Sequence, residues 1–112
     1  VGFKWAPVKP LGLFAQPADL LAISDGRLLC TYGHRRPDYG IRAAILAFRD
    51  DALTPTHEVV LRSDAANWDC GYPASVENKD GSISSVYYIH TGNDGLRHIA
   101  VSDWTLDEAE PV

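Results

Sequence analysis

The sequence predicts an all-β fold of two four-stranded antiparallel sheets, and three observations carry that expectation. Apolar and β-branched runs of strand length are separated by Asp-Gly and Gly-rich turns. Ile83 to His90 is rich in β-branched and aromatic residues. The chain also repeats itself at a spacing of 55 residues. Asp25-Gly26 falls on Asp80-Gly81, Leu28 on Ile83, Tyr32 on Tyr87, Gly40 on Gly95 and Ile41-Arg42 on Leu96-Arg97, with no gap between positions 25 and 42. Two such units fill nearly all of the 112 residues.

The first unit, about 12–62, reads as four strands. Ala18 to Ile23 is an apolar run closed by the turn Ser24-Asp25-Gly26, where Asp-Gly tolerates positive φ angles. Arg27 to Gly33 is the second strand, and Arg35-Arg36-Pro37-Asp38 is loop. Gly40 to Phe48 is the third, ended by Asp50-Asp51 and Pro55, and His57 to Arg62 is the fourth. The second unit, about 67–104, repeats the pattern with Pro73 to Glu77, a turn at Lys79-Asp80-Gly81, Ile83 to His90, a turn over 92–95, and Leu96 to Trp104. Its fourth strand is absent or lies in the acidic tail, and residues 3–8 offer a strand to a neighbouring unit.

Four antiparallel strands recurring at this period predict β-propeller blades. A small β-sandwich of two similar sheets has the same strand content but gives no reason for the repeat. Two isolated blades leave packing faces bare, with Leu20, Val76, Val86 and Ile89 among the residues expected to meet water. Three copies of two blades close a six-bladed ring under cyclic symmetry, so a homotrimer is expected. An excised piece of a longer chain is the alternative.

Composition bounds the function. Hydrophobic residues make up 46% and charged residues 22%, as in an ordinary globular domain. The net charge of −5 argues against nonspecific nucleic-acid binding, and no apolar run approaches the ~20 residues of a membrane helix. The chain begins at Val1 and contains no Met, so the natural start is expected to lie elsewhere and no compartment is read from this end. Cys30 sits in an apolar run and reads as a buried thiol, while Cys70 lies in a loop. A disulfide between them is open.

The segments DGRLLCTYG (25–33), YGIRA (39–43), NWDCGYP (67–73) and VYYI (86–89) resemble the sialidase-like, BNR-repeat glycosidases over roughly residues 12 to 104. The resemblance implies a six-bladed propeller and a hydrolase acting on a glycoside or related ester near the propeller axis. The family's Ser-x-Asp-x-Gly-x-Thr-Trp box is reduced here to the acidic turn and Thr54 of FRDDALTP (48–55). A sialidase also gathers its arginines, acids and nucleophilic Tyr from many blades, more than two blades supply.

Alternate loops of antiparallel blades share one face. That face should carry His34, Arg35, Arg36, Asp38 and Tyr39 from one loop, Trp68, Asp69 and Tyr72 from the connection between units, and His90, Asn93 and Asp94 from the second unit. The Asp25-Gly26 and Asp80-Gly81 turns should lie on the opposite face. Asp69, Tyr72 and His34 are the catalytic candidates. Asp69 beside aromatic surface is expected to have a raised pKa and act as general acid or base, though an Asp capping its own loop fits as well. Tyr72 is the candidate phenol nucleophile that the resemblance implies.

Arg35, Arg36, Tyr39, Trp68 and His90 are the substrate-binding candidates, and the two arginines suit a carboxylate or phosphate. A solvated pair is the alternative for them. Arg42 and Arg97 occupy equivalent positions and read as a repeated structural ion pair. His34 and His90 end corresponding strands, and imidazoles multiplied by a threefold axis could hold zinc, which would make a metal-dependent phosphate esterase. A carbohydrate-binding propeller without catalysis and a purely structural fragment complete the alternatives.

Overall fold

The computed structural model describes residues 3–93 and 95–112. Eight strands follow in order: β1 (Ala18–Ala22), β2 (Leu28–His34), β3 (Gly40–Arg49), β4 (Ala52–Arg62), β5 (Gly71–Glu77), β6 (Ile83–Ile89), β7 (His98–Trp104) and β8 (Glu110–Pro111). A 3-10 turn over Leu106–Glu108 is the one helical element among the described residues. None of the described helical segments is long and apolar enough to cross a membrane.

The all-β expectation is met, but the strands divide five and three rather than four and four. One antiparallel sheet has the order β1-β2-β3-β4-β8 and the other β5-β6-β7. The acidic tail does form a strand, yet β8 crosses to the outer edge of the first sheet, where Glu110 pairs with Glu58 and Pro111 with His57. Residues 3–8 form no strand, and Phe3, Trp5 and Val8 are exposed.

Two boundaries moved for a physical reason. Pro55 was expected to end β3 but lies inside β4, at a bulge where Ile45 pairs with His57 and Leu46 with Pro55. The bulge leaves Thr56 unpaired in the ladder, and its hydroxyl donates to the Ile45 carbonyl at 3.2 Å. Proline has no N–H to give a ladder, so a bulge is where a strand tolerates it. Likewise β5 begins at Gly71 rather than Pro73, across a second register shift between Gly71 and Ala74.

The 55-residue shift carries β2 onto β6 residue for residue, and β1 onto Pro73 to Glu77 of β5. It also carries one packing face onto another. Cys30, Tyr32, Ala44 and Leu46 face a strap of extended chain, Leu11, Leu13 and Ala15. Tyr87, the equivalent of Tyr32, faces the first sheet with Ile89, beside Ile41 and Cys70. The opposite face of the first sheet, with Leu29, Ala43 and Ile45, packs on Ile83 and Trp104 of the second. The two sheets are therefore stacked in the same sense.

Ile89 is 0% exposed, against the expectation that it would meet water. Side chains alternate along a strand, so Val86 and Ile89, three residues apart, lie on opposite faces of β6. Leu20, Val76 and Val86 are exposed as expected.

A buried polar chain ties the sheets together. The Thr31 and Ser75 hydroxyls meet at 2.8 Å, those of Ser75 and Ser85 at 2.7 Å, and the Trp104 indole N–H donates to Ser85 Oγ at 3.0 Å. Asp19 accepts from the Ser75 backbone N–H at 2.9 Å. Each hydroxyl in the chain has a partner, which is the condition for burying it cheaply.

Candidate functional site

The loops sort onto two ends as expected. The Asp25-Gly26 and Asp80-Gly81 turns precede β2 and β6, and the loops after His34 and Ile89 lie at the other end of those same strands. What brings the loop-end groups together is a close backbone approach of β2 to β5. A Cβ on Gly33 would stand 2.6 Å from the Gln16 carbonyl oxygen and 3.1 Å from that of Cys70. Only glycine fits at that distance. The contact sets the 34–36 loop against the 67–72 connection.

Arg35 is the centre of the resulting cluster. Its guanidinium carbon lies 5.4 Å from the Trp68 ring centre and 5.8 Å from that of Tyr72, within cation–π range. Its Nε donates to the Cys70 carbonyl at 3.3 Å, and one terminal nitrogen approaches the Tyr88 hydroxyl at 3.5 Å. The Tyr72 and Tyr88 rings are tilted together at 6.0 Å. Tyr72 itself has φ 46°, a left-handed conformation rare for a bulky residue, and presents its ring to solvent. Among the described residues its hydroxyl makes no hydrogen bond, so the expected nucleophile has no acid partner here.

The Tyr32 hydroxyl donates to Glu58 at 2.6 Å, beside His34 and away from this cluster. Within the cluster the phenol with an acid partner is Tyr88. Its hydroxyl donates to Asp69 Oδ1 at 2.6 Å, while Arg97 Nε donates to Asp69 Oδ2. The Asn67 side-chain oxygen accepts the Asp69 backbone N–H at 2.9 Å and faces His90 Nε2 at 3.2 Å. The Tyr88 and Arg97 hydrogen bonds hold the Asp69 carboxyl below its ordinary pKa. This reverses the expected raised value, because donors to the ionised form outweigh the neighbouring aromatic surface. Burial, with the Asp69 contact adding to it, pushes Tyr88 up to about 12.

Three expected residues lie elsewhere. Arg36, next to Arg35, turns the other way and places its guanidinium 3.7 Å from the Phe14 ring centre. His34 packs edge-on to Phe14 at 6.4 Å and lines a cavity of about 410 Å³ with Leu11, Tyr32, Arg42 and Glu58. Burial and then the nearby Arg42 and Arg36 charges push the His34 pKa down. His34 thus does not join Asp69, Tyr72 and Arg35, a correction to the single cleft expected of the four. Tyr39 acts through its backbone, whose carbonyl accepts the Ala65 N–H at 3.2 Å. Asp94 lies outside the described residues.

His34 and His90 were the candidate metal ligands. Among the described residues no group of three or more His, Cys, Asp or Glu side chains could hold an ion. His90 is buried, its Nδ1 without a hydrogen-bond partner. The repeated ion pair is also absent among the described residues. Arg97 pairs with Asp69 from the loop before β7, whereas Arg42 lies within β3 and its buried Nε has no partner. Cys30 and Cys70 are both buried free thiols.

Sequence reading gave Asn67 no role, read Arg97 as a structural ion-pairing residue and left Tyr88 outside the site. The signal for Tyr88 was parity. Ile83, Ser85, Tyr87 and Ile89 share the buried face of β6, so Tyr88 faces away from it, and its ladder partner is Gly71 in the connection that bears Asp69.

No protein-family model matches the chain, and no curated protein matches it. Among solved structures, the chain is similar to a protein of unknown function from Dyadobacter fermentans DSM 18053. The two share 35% sequence identity at a TM-score of 0.73, over 85% of this chain. The match covers 26% of that protein, so this chain spans about a quarter of the length of the structure it resembles.

Proposed function

We propose that the Arg35–Trp68–Asp69–Tyr88 cluster is a sugar site of the sialidase-like kind, hydrolysing a glycoside that bears an acidic group. In the same reading the chain is a two-blade unit of a six-bladed propeller. The observation that carries the chemistry is the 2.6 Å hydrogen bond from Tyr88 to Asp69. A phenol with a pKa near 12 keeps its proton at neutral pH and attacks only if a base takes that proton. Asp69, held ionised by Arg97, is already in contact with it. The phenol oxygen attacks the anomeric carbon, the proton passes to Asp69, and the bond to the leaving group breaks. Water then attacks the anomeric carbon, the bond to the phenol oxygen breaks, and the proton on Asp69 returns to Tyr88. The proton lost by the water balances the released leaving-group anion, a phenolate for an aryl glycoside. Arg35 supplies a planar guanidinium for the substrate's acidic group, and the exposed Trp68 and Tyr72 rings supply faces for the sugar.

The test uses aryl glycosides of acidic sugars, whose leaving phenolate needs no proton. Turnover should fall about 100-fold or more in Tyr88→Phe, which removes the attacking oxygen and with it the proton transfer to Asp69. No turnover by the native chain at any assembly state would overturn the reading.

A second reading is binding without catalysis. It is favoured by one observation: Asp69 is the one carboxylate that the Arg35 cluster holds among the described residues, where most glycosidases use two. Saturable glycan binding with no turnover would select it.

The ring rests on the stacking sense of the sheets. The second sheet's exposed face is equivalent by the 55-residue shift to the face by which the first sheet contacts the second, and in this reading another copy meets it through the Leu11, Leu13 and Ala15 strap that covers the far face of its first sheet. Three copies close six blades, and the expected light-scattering mass is three times the 12.3 kDa of the chain.

A further inference from the structure

Residues of β2, β3 and β4 build a second polar cavity on the strap face of the first sheet. Tyr32 and Arg42 are ladder partners between β2 and β3, and Glu58 on β4 is the partner of Ala44. All three therefore share the face that Tyr32 and Ala44 turn to the strap. The β3–β4 register shifts on both sides of Glu58, between Ile41 and Arg42 and between Ile45 and Leu46. Bulges of this kind re-aim side chains and recur beside binding sites. The cavity, of about 410 Å³, lies between these residues and the strap, with Leu11, Leu13, Phe14 and Pro55 as apolar walls. Arg35 and Asp69 line no part of it, so it is separate from the sugar site.

Its two charges are opposite in sign but do not meet. Arg42 and Glu58 both line the cavity, yet no ion pair joins them among the described residues. The Arg42 Nε is buried and has no hydrogen-bond partner. Glu58 accepts the Tyr32 hydroxyl through Oε1 at 2.6 Å. Tyr32 keeps its proton for that contact, since burial, with Glu58 adding to it, pushes its pKa up. His34 adds no charge at neutral pH, because burial and then the Arg42 and Arg36 charges push its pKa down.

A ligand of one sign suits this arrangement badly. An anion satisfies Arg42 but meets Glu58, and a cation does the reverse. A ligand carrying both signs satisfies both. The spacing asks for a compact one. Arg42 and Glu58 are diagonal neighbours across the β3–β4 ladder, a separation of ~7–8 Å that long side chains largely close. The orientation follows from a further cavity of about 640 Å³, which shares Arg42 and Glu58 and runs past Glu108 and Glu110. Glu110 is the ladder partner of Glu58, so the negative charge gathers on that side.

We propose that this cavity binds a free α-amino acid with an apolar side chain, its carboxylate on Arg42, its ammonium on Glu58 and its side chain against Leu11, Leu13 and Phe14. Such a ligand gives the Arg42 Nε its missing acceptor and leaves no wall charge unmatched.

The test is calorimetric titration of the native chain with L-leucine, with the Arg42 Nε–H followed by NMR. Leucine should bind saturably at one site per chain and shift that signal. L-leucinamide lacks the carboxylate and N-acetyl-L-leucine lacks the ammonium. Each should bind about 10-fold or more weaker, the scale of a lost charge-assisted hydrogen bond. Arg42→Gln should weaken leucine to the same extent and leave leucinamide unchanged, because the group missing from the ligand is the one that meets Arg42. The ligand series needs no variant and decides alone if Arg42→Gln does not fold. No saturable leucine binding at millimolar concentration overturns the proposal. So does leucine binding that leaves the Arg42 signal in place, or blocked analogues that bind as tightly as leucine.

Discussion

Asp69 is where the chemistry of single residues departs most from what its neighbours in sequence suggest. Trp68 and Tyr72 flank it along the chain, but Tyr88 and Arg97 hold it in space. Its folded pKa is depressed, so the Tyr88–Asp69–Arg97 unit is intact above the ordinary carboxylate value and is lost as pH falls through the lower folded value. A carbon-detected NMR titration should show the Asp69 carboxyl ionised to below its usual range. Arg97→Ala should move that midpoint upward. An unmoved midpoint would show that Arg97 does not act on Asp69. Gly33 sets the distance on which the cluster depends. Gly33→Ala forces a methyl group toward two backbone carbonyl oxygens and should cost about 1–3 kcal/mol by urea unfolding. It should also weaken glycan binding, because Arg35 is two residues away.

At the scale of elements, the two sheets are joined by polar as well as apolar contacts. Thr31 of the first sheet meets the Ser75 hydroxyl of the second, and behind it Ser85 meets Ser75 and accepts the Trp104 indole N–H, all in the interior. Ser85→Ala leaves both without that partner and should destabilise the chain by about 1–3 kcal/mol, more than the loss of a surface hydroxyl. A change under ~0.5 kcal/mol would mean water replaces the hydroxyl. The strands themselves were legible in the sequence. β2 and β6 follow from their apolar runs, the Asp-Gly turns and the repeat. The cross-sheet Ser and Thr contacts were not, since short hydroxyl side chains look alike on a buried and a solvated strand face until partners are known. Nor was β8, a two-residue strand whose pairing comes from β4 and not from its own composition.

For the whole molecule, the governing fact is an unfinished surface. Val76, Val86, Ile99 and Val101 expose apolar area on one sheet face, beside the open edge of β7. A large apolar side chain gains about 1.5–3 kcal/mol on full burial, a large share of the ~5–15 kcal/mol that holds a small domain folded. Covering this face should therefore raise the unfolding midpoint with protein concentration. Val101→Lys should abolish that dependence, because it places a charge in the contact without touching the buried face of β7. A concentration-independent midpoint in the native chain would argue that the face stays in water.

The sequence by itself determined the strand runs, the turns between them, the 55-residue repeat and the loop end that carries the candidate site. These depend on local backbone preference and on side-chain alternation, both written residue by residue. The tertiary structure alone decided that Arg35 and Arg36 part company, that Tyr88 and not Tyr72 meets the acid, and that Ile89 is buried while Val86 is not. Each of these turns on which face of a strand meets another sheet. Alternation fixes that two neighbours point apart, but only the packing of one sheet on the other fixes which of them points inward.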